Sequence, residues 1–178
     1  KEQIAEASSV KMELDHRWVL SWLCPCNVRG KNASLYDGAS ALSEAILMSV
    51  RANKRCKSQR VLIPTSVNPF YRATAKTTIG NQNIELIEIP FSEKTGKMDV
   101  ASLEKYANEE ITALIIPQPN FFGALEEIDQ LTRWAHQKSA MVIGVVNPLS
   151  LAILKAPGSW GEMGADIVCG EGHSFGVP

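Results

Sequence analysis

The residues with the clearest chemical potential follow short apolar runs of the sequence. Asn147 follows the run 141–146, and Gly-Glu-Gly-His-Ser-Phe-Gly at 170–176 follows the run 166–169. If these runs are parallel strands, both segments lie at the carboxyl edge of the sheet, where α/β proteins bind ligands. Asn147 cannot supply a negative charge, and residues 170–178 contain no lysine. This edge therefore lacks an acidic group after one strand and an amine nucleophile after the next.

A second group of polar residues lies before a predicted helix. Ser34 and Asp37 have the spacing of a capping box, and helically spaced apolar residues follow them. A helix amino terminus carries unpaired N–H groups and a positive dipole end, so it can receive an anion or the polar edge of a ligand. Asn32, Ser34 and Tyr36 are therefore candidate pocket residues. The alternative is an ordinary helix start with a buried tyrosine.

Several other segments resemble nucleotide-binding or catalytic motifs but lack a residue that the motif requires. The loop 170–176 lacks the third glycine of a dinucleotide fingerprint, because position 175 is Phe. The segment 95–97, Thr-Gly-Lys, lacks the upstream glycine of a phosphate-binding loop. His173 and Ser174 are neighbours without the strand–turn–helix setting of a nucleophile. The paired carboxylates Glu126-Glu127 fit compensation of a helix dipole better than acid–base catalysis.

Composition narrows the class of protein. The chain has 178 residues, of which 45% are hydrophobic and 21% charged, with a net charge of −1. These values are ordinary for a soluble globular protein, and they favour neither nucleic acid nor a membrane surface as a partner. No apolar run approaches the roughly 20 residues of a membrane span. The four cysteines and three histidines lack the spacing of a metal site, which predicts free thiols in a reducing compartment.

The elements that would position these residues alternate along the chain. Helix-like spans separate five apolar runs, which we predict as strands: 60–64, 84–90, 113–117, 141–147 and 166–169. Such alternation predicts an α/β fold in three layers, with a mostly parallel sheet and helices on both faces. Asn120 and His173 then join the candidate site, since each follows a predicted strand.

Helix boundaries can also be predicted. Asn68 before Pro69 is a strong helix start, and Asp99 is a candidate cap for a helix that reaches about residue 108. We expect a further helix over 126–138. Residues 1–30 are the least coherent segment, so we predict a divergent amino-terminal part at 1–30 and a partial domain at 31–178.

Three blocks of the sequence resemble the glycine cleavage system P-protein family, and subunit 1 of its two-subunit form in particular. They are Asn-Ala-Ser-Leu-Tyr-Asp-Gly-Ala-Ser-Ala at 32–41, Ile-Pro-Gln-Pro-Asn-Phe-Phe-Gly at 116–123, and Gly-Glu-Gly-His-Ser-Phe-Gly-Val-Pro at 170–178. In the single-chain form, Leu-Asp-Glu usually stands where this chain has Tyr-Asp-Gly at 36–38. The resemblance covers about residues 31–178.

This resemblance implies the large domain of a fold type I pyridoxal-phosphate-dependent enzyme. In that fold an Asp pairs with the pyridinium nitrogen, and a Lys binds the cofactor covalently. Here Asn147 replaces the Asp and the lysine is missing, so we expect pyridoxal phosphate on subunit 2 and none on this chain alone. The complete enzyme decarboxylates glycine and passes the aminomethyl group to the lipoyl H protein. Asn32, Ser34 and Tyr36 would line a pocket shared with subunit 2.

The resemblance also predicts differences from a complete family member. Residues 1–30 do not match the expected upstream pattern, and the chain stops at Pro178, before further strands and a smaller carboxyl-terminal domain. We therefore expect a partial chain that is inactive alone, from a bacterial cytoplasm or, in a eukaryote, the mitochondrial matrix. One alternative is a degenerate paralogue or truncated product that acts only as a binding or assembly module. The other is an independent small-molecule enzyme.

Overall fold

A computed structural model describes residues 35–176. The helices and strands, in chain order, are α1 Gly38–Ala52, β1 Arg60–Pro64, α2 Pro69–Ile79, β2 Glu85–Ile89, β3 Ala113–Gln118, α3 Ile128–Gln137, β4 Met141–Val146 and β5 Ile167–Gly170. The strands form a five-stranded parallel sheet in the order β2-β1-β3-β4-β5. Short 3₁₀ helices span Val100–Tyr106, Pro148–Ala152, Pro157–Ser159 and His173–Phe175. The predicted parallel α/β fold is confirmed.

The sheet is buried on both faces, because alternate residues of each strand point to opposite sides. Leu62 and Leu114 belong to a core cluster with α3 and the 3₁₀ helix 100–106, whereas Val61 and Ile115 belong to a cluster with α1 and α2. These clusters form the three-layer arrangement that the sequence predicts. The layers leave the carboxyl edge of the strands to the connecting loops.

The amino terminus of α1 differs from the prediction. Asp37, and not Ser34, is the N-cap of the helix. Asp37 Oδ1 accepts a hydrogen bond from Ser40 N at 2.7 Å, and Asp37 N donates to Ser40 Oγ at 3.2 Å. A capping box needs an acceptor at the cap and a reciprocal polar side chain three residues later, and this pair satisfies both conditions. Ser34 itself lies outside the described residues.

Other boundaries follow the sequence closely. Asn68 Oδ1 accepts from Phe70 N at 2.9 Å, so the predicted start of α2 is confirmed. Asp99 caps the next helix as expected, although that helix is a 3₁₀ helix over 100–106. The helix predicted over 126–138 begins only at Ile128. Within 35–176, no helix is long and apolar enough to cross a membrane.

Candidate functional site

A cavity of about 230 Å³ opens at the carboxyl edge of the sheet. Loops that follow β1, β3, β4 and β5 contribute to it, which is the position expected for a ligand site in a parallel α/β fold. Its polar lining residues are Asn68, Tyr71, Asn120, Asn147, Glu171 and Ser174. Valine, proline and phenylalanine side chains complete the walls. The cavity thus lies at the edge of the sheet where the sequence predicts a ligand site.

The positive end of α1 is taken by carboxylates of the chain itself. Glu171 Oε2 accepts a hydrogen bond from Gly38 N at 2.8 Å, and Asp37 Oδ1 accepts from Ser40 N. The hydrogen bonds from Ser40 lower the pKa of Asp37 below its usual value. Negative charge at a helix amino terminus is stabilising. The anion that this terminus could receive is thus already supplied by Glu171, from beyond β5.

Tyr71 packs between these groups. A Cβ at position 38 would lie 2.2 Å from Tyr71 Oη, so the phenol fits only because residue 38 is glycine. Burial, assisted by the negative charge of Glu171, raises the pKa of Tyr71 to about 12. The phenol is therefore neutral at physiological pH. Its hydroxyl makes no hydrogen bond to another residue of the described range, and Tyr71 is one of the residues that line the cavity.

Asn120 lines the cavity, but its amide is committed to the protein. Its Nδ2 donates to Gly96 O at 2.7 Å and to Glu126 Oε1 at 2.8 Å. Its Oδ1 accepts from Phe122 N and Ala124 N, both at 3.0 Å. These four hydrogen bonds fix the loop after β3, so within the described chain Asn120 shapes the cavity wall.

Glu126 corrects a prediction. It does not compensate the dipole of α3 but is a buried carboxylate that accepts from Ser66 Oγ at 3.0 Å and Met98 N at 2.8 Å, besides Asn120. Its neighbour Glu127 is the exposed member of the pair and forms an ion pair with Lys97 at 2.6 Å. Three donors from separate loops replace water around Glu126, which explains how a carboxylate is tolerated there.

The cavity does not fit the cofactor that the family resemblance implies. Asn147 lines it, but this neutral side chain accepts from Leu149 N at 3.0 Å and caps the 3₁₀ helix 148–152. The described lining contains no lysine, arginine or histidine. A phosphate-bearing group would thus meet Glu171 without a compensating cation, and residues 170–178 offer no lysine for a covalent bond.

The remaining candidates lie elsewhere. Tyr36 is 96% exposed, so the alternative of a buried tyrosine is wrong. His173 is exposed and outside the lining, with Nδ1 3.7 Å from Glu171 Oε1. Asn32 and Ser34 lie outside the described residues. Sequence reasoning missed Tyr71 and Glu171; the position of Glu171 directly after β5 was the signal that could have found it. Among residues 35–176, no group of three potential metal ligands occurs.

Comparison with known proteins gives consistent results. A family model described as glycine cleavage system P-protein matches residues 26–178. The probable glycine dehydrogenase (decarboxylating) subunit 1 of Thioalkalivibrio sulfidiphilus is 56% identical over 176 residues, covering 98% of this chain and 39% of the relative. The corresponding protein of Legionella pneumophila strain Corby is 52% identical over 174 residues, covering 98% of this chain and 38% of the relative.

Solved structures show the same fold. A glycine decarboxylase (P-protein) of the glycine cleavage system, in inhibitor-bound form, matches with a TM-score of 0.78 and 31% identity, over 100% of this chain and 36% of that chain. A sphingosine-1-phosphate lyase from Burkholderia pseudomallei matches with a TM-score of 0.61 and 16% identity, over 79% of this chain and 34% of that one. The second likeness concerns the fold alone. This chain spans about two-fifths of the length of the curated relatives.

Proposed function

Because the chain belongs to the glycine cleavage system P-protein family, we propose that it forms part of the subunit of glycine decarboxylase that does not carry the cofactor. The complete enzyme would decarboxylate glycine on pyridoxal phosphate and transfer the aminomethyl group to the lipoyl H protein. Subunit 2 would hold the cofactor and assemble with this subunit. The names of the relatives support this assignment, since both are described as probable subunit 1 of glycine dehydrogenase (decarboxylating).

One observation carries the proposal: Glu171 Oε2 accepts from Gly38 N at the amino terminus of α1. A helix terminus that received a phosphate would leave its N–H groups free for the ligand. Here a carboxylate from the loop after β5 satisfies the first of these groups, beside a cavity whose described lining contains no lysine, arginine or histidine. The fold of the enzyme is thus kept, while the groups that would hold and activate its cofactor are replaced.

The contribution of this chain would be a surface for the partner subunit. Among the exposed large side chains are Tyr36, Phe70, Leu149 and the cavity-lining Phe121. Exposed apolar groups that lie together commonly mark protein interfaces. In this proposal Asn32, Ser34 and Tyr36 reach a pocket shared with subunit 2, and His173 lies at its rim. Asn120 acts there by holding the loop after β3.

A narrower role, as an assembly module without influence on turnover, is the alternative. The division into 1–30 and 31–178 stays a prediction, and the similarity to the relatives extends over 98% of the chain. The relatives are bacterial proteins, which supports a place in the bacterial cytoplasm. Neither nucleic acid nor a membrane enters the proposal as a partner.

We expect no covalent pyridoxal phosphate on this chain. Two samples are incubated with the cofactor: the chain alone, and the chain together with subunit 2 of a relative. Both are reduced with borohydride, and labelled lysines are mapped by mass spectrometry. The label should fall only on subunit 2, and the two proteins should co-purify. A stoichiometric pyridoxyl-lysine at one site of this chain would overturn the proposal, as would failure of the two chains to associate.

In an assembled complex, Tyr36→Ala is expected to reduce glycine decarboxylation by at least about tenfold while the complex persists. The reason is that the exposed phenol would line the shared pocket, where leaving a buried polar partner unpaired costs about 1–3 kcal/mol. Tyr36→Phe keeps the ring and removes the hydroxyl, so it distinguishes the contribution of the hydroxyl from that of the ring. Turnover is compared with assembly by size-exclusion chromatography. Full activity of Tyr36→Ala in an intact complex would favour the assembly-module alternative.

A further inference from the structure

The cavity at the carboxyl edge carries a single kind of charge, and it is negative. Glu171 is the one carboxylate among the described lining residues, and no cationic side chain lines the cavity with it. The Glu171 side chain is 30% exposed, so it is screened less than a surface group. The adjacent Tyr71 phenol is neutral, because burial and the charge of Glu171 oppose its ionisation. The potential inside the cavity therefore favours a cation.

The carboxylate keeps capacity to accept hydrogen bonds. Glu171 Oε2 accepts from Gly38 N, while Oε1 accepts a long hydrogen bond of 3.4 Å from His173 N and lies 3.7 Å from His173 Nδ1. An ionised carboxylate has about four acceptor positions, so at least one remains for a ligand. Tyr71 lines the same cavity, and a phenol oxygen has the capacity to accept a hydrogen bond. Together these oxygens suit a donor with several N–H groups.

The walls favour an organic cation over a metal ion. Tyr71 and Phe121 are both lining residues, and an ammonium group near an aromatic face is stabilised by the ring quadrupole. Among residues 35–176, no set of three His, Cys, Asp or Glu side chains could hold a metal. Apolar side chains such as Val67 and Val145 can cover a short carbon chain.

We propose that this cavity binds a small primary ammonium compound, with the ammonium group on Glu171 and its carbon chain against the aromatic and valine walls. The volume of about 230 Å³ is that of about eight water molecules, which suits a ligand of a few heavy atoms. This site goes beyond the proposed function, since it needs neither the cofactor nor subunit 2. The negative charge of Glu171 repels a phosphate group and attracts a cation.

The test is a ¹H–¹⁵N NMR titration of the full chain with propylamine hydrochloride, at constant ionic strength held with KCl. We expect saturable shifts of the amides of Gly170 and Glu171, and no saturable shifts with sodium propionate, an anion of the same size. Glu171→Gln keeps an acceptor for Gly38 N and removes the charge. It should weaken binding by at least about tenfold, because a charge-assisted hydrogen bond is lost.

The matched control is Glu162→Gln. Glu162 is an exposed carboxylate in the turn before β5, at the opposite edge of the sheet, so this variant should bind propylamine like the unaltered chain. Tyr71→Phe provides a second variant should Glu171→Gln fail to fold, and it should weaken binding by about threefold through loss of one hydrogen bond. Absence of saturation, equal shifts with propionate, or unaltered binding by the folded cavity variants would overturn the inference. None of these outcomes would affect the proposed function, which the borohydride and co-purification experiments test separately.

Discussion

Replacing Glu126 by leucine is expected to lower the free energy of unfolding by about 4 kcal/mol, because several buried donors lose their acceptor at once. Leucine removes every acceptor of the carboxylate, whereas Glu126→Gln keeps the size and shape of the side chain and so separates hydrogen bonding from packing. Ser66 Oγ and Met98 N would be left without the carboxylate, and Asn120 Nδ2 would keep only its bond to Gly96 O. Each buried group deprived of its partner costs about 1–3 kcal/mol.

Urea unfolding followed by circular dichroism measures this effect. Glu126→Gln keeps one oxygen acceptor but presents an NH₂ group to a donor, so an intermediate loss of about 2 kcal/mol is expected. The neighbouring Glu127, whose side chain is 58% exposed, is the matched control, and Glu127→Gln should change stability by less than about 0.5 kcal/mol. Equal effects at 126 and 127 would contradict the buried network.

The Glu126 network also has a consequence for the cavity. Glu126 connects the loop after β1 with the loop after β3, because it accepts hydrogen bonds from both Ser66 and Asn120. Both loops contain residues that line the cavity. Loss of Glu126 should therefore loosen the wall that contains Phe121. A buried polar network that is fully satisfied fixes a unique local arrangement, and a network satisfied only in part does not.

Trp160→Ala is expected to destabilise the chain by about 4 kcal/mol, the usual cost of deleting a large buried aromatic side chain. Trp160 is fully buried at 0% exposure and belongs to the core cluster that packs against α3. Its ring lies against Gly144 of β4, where an added Cβ would be 3.1 Å from the indole. Its Nε1 donates to Lys155 O at 3.0 Å, a bond that alanine also removes.

The same unfolding measurement is made on Trp134→Ala as the comparison. Trp134 is only partly buried on α3 and interacts with Lys138, whose Nζ is 5.5 Å from the ring centroid. Its removal should lower the free energy of unfolding by about 1 kcal/mol, because the Trp134 side chain is only partly buried. A Trp160→Ala variant that has lost cooperative unfolding already without urea would agree with the prediction. A loss below about 1 kcal/mol would show that the core tolerates the cavity.

Local chemistry determined much of this fold from the sequence alone. The alternation of apolar runs predicted parallel strands with helices on both faces, because a strand buried on both sides must be apolar throughout. Asn68 before Pro69 predicted the start of α2, since a cap acts on backbone groups two or three residues away. The lack of lysine in 170–178 and the neutral Asn147 are facts of composition that no tertiary contact can change.

The tertiary structure decided which groups meet. Glu171 and Gly38 are 133 positions apart, and only the placement of α1 beside the end of β5 brings the carboxylate to the helix terminus. Glu126 looked like a surface charge because its donors, Ser66 and Met98, come from distant segments. Hydrogen bonds within a turn depend on spacing along the chain, whereas those between loops depend on the packing of whole elements. For that physical reason the sequence identified the edge of the sheet that carries the site, and the structure identified its charge.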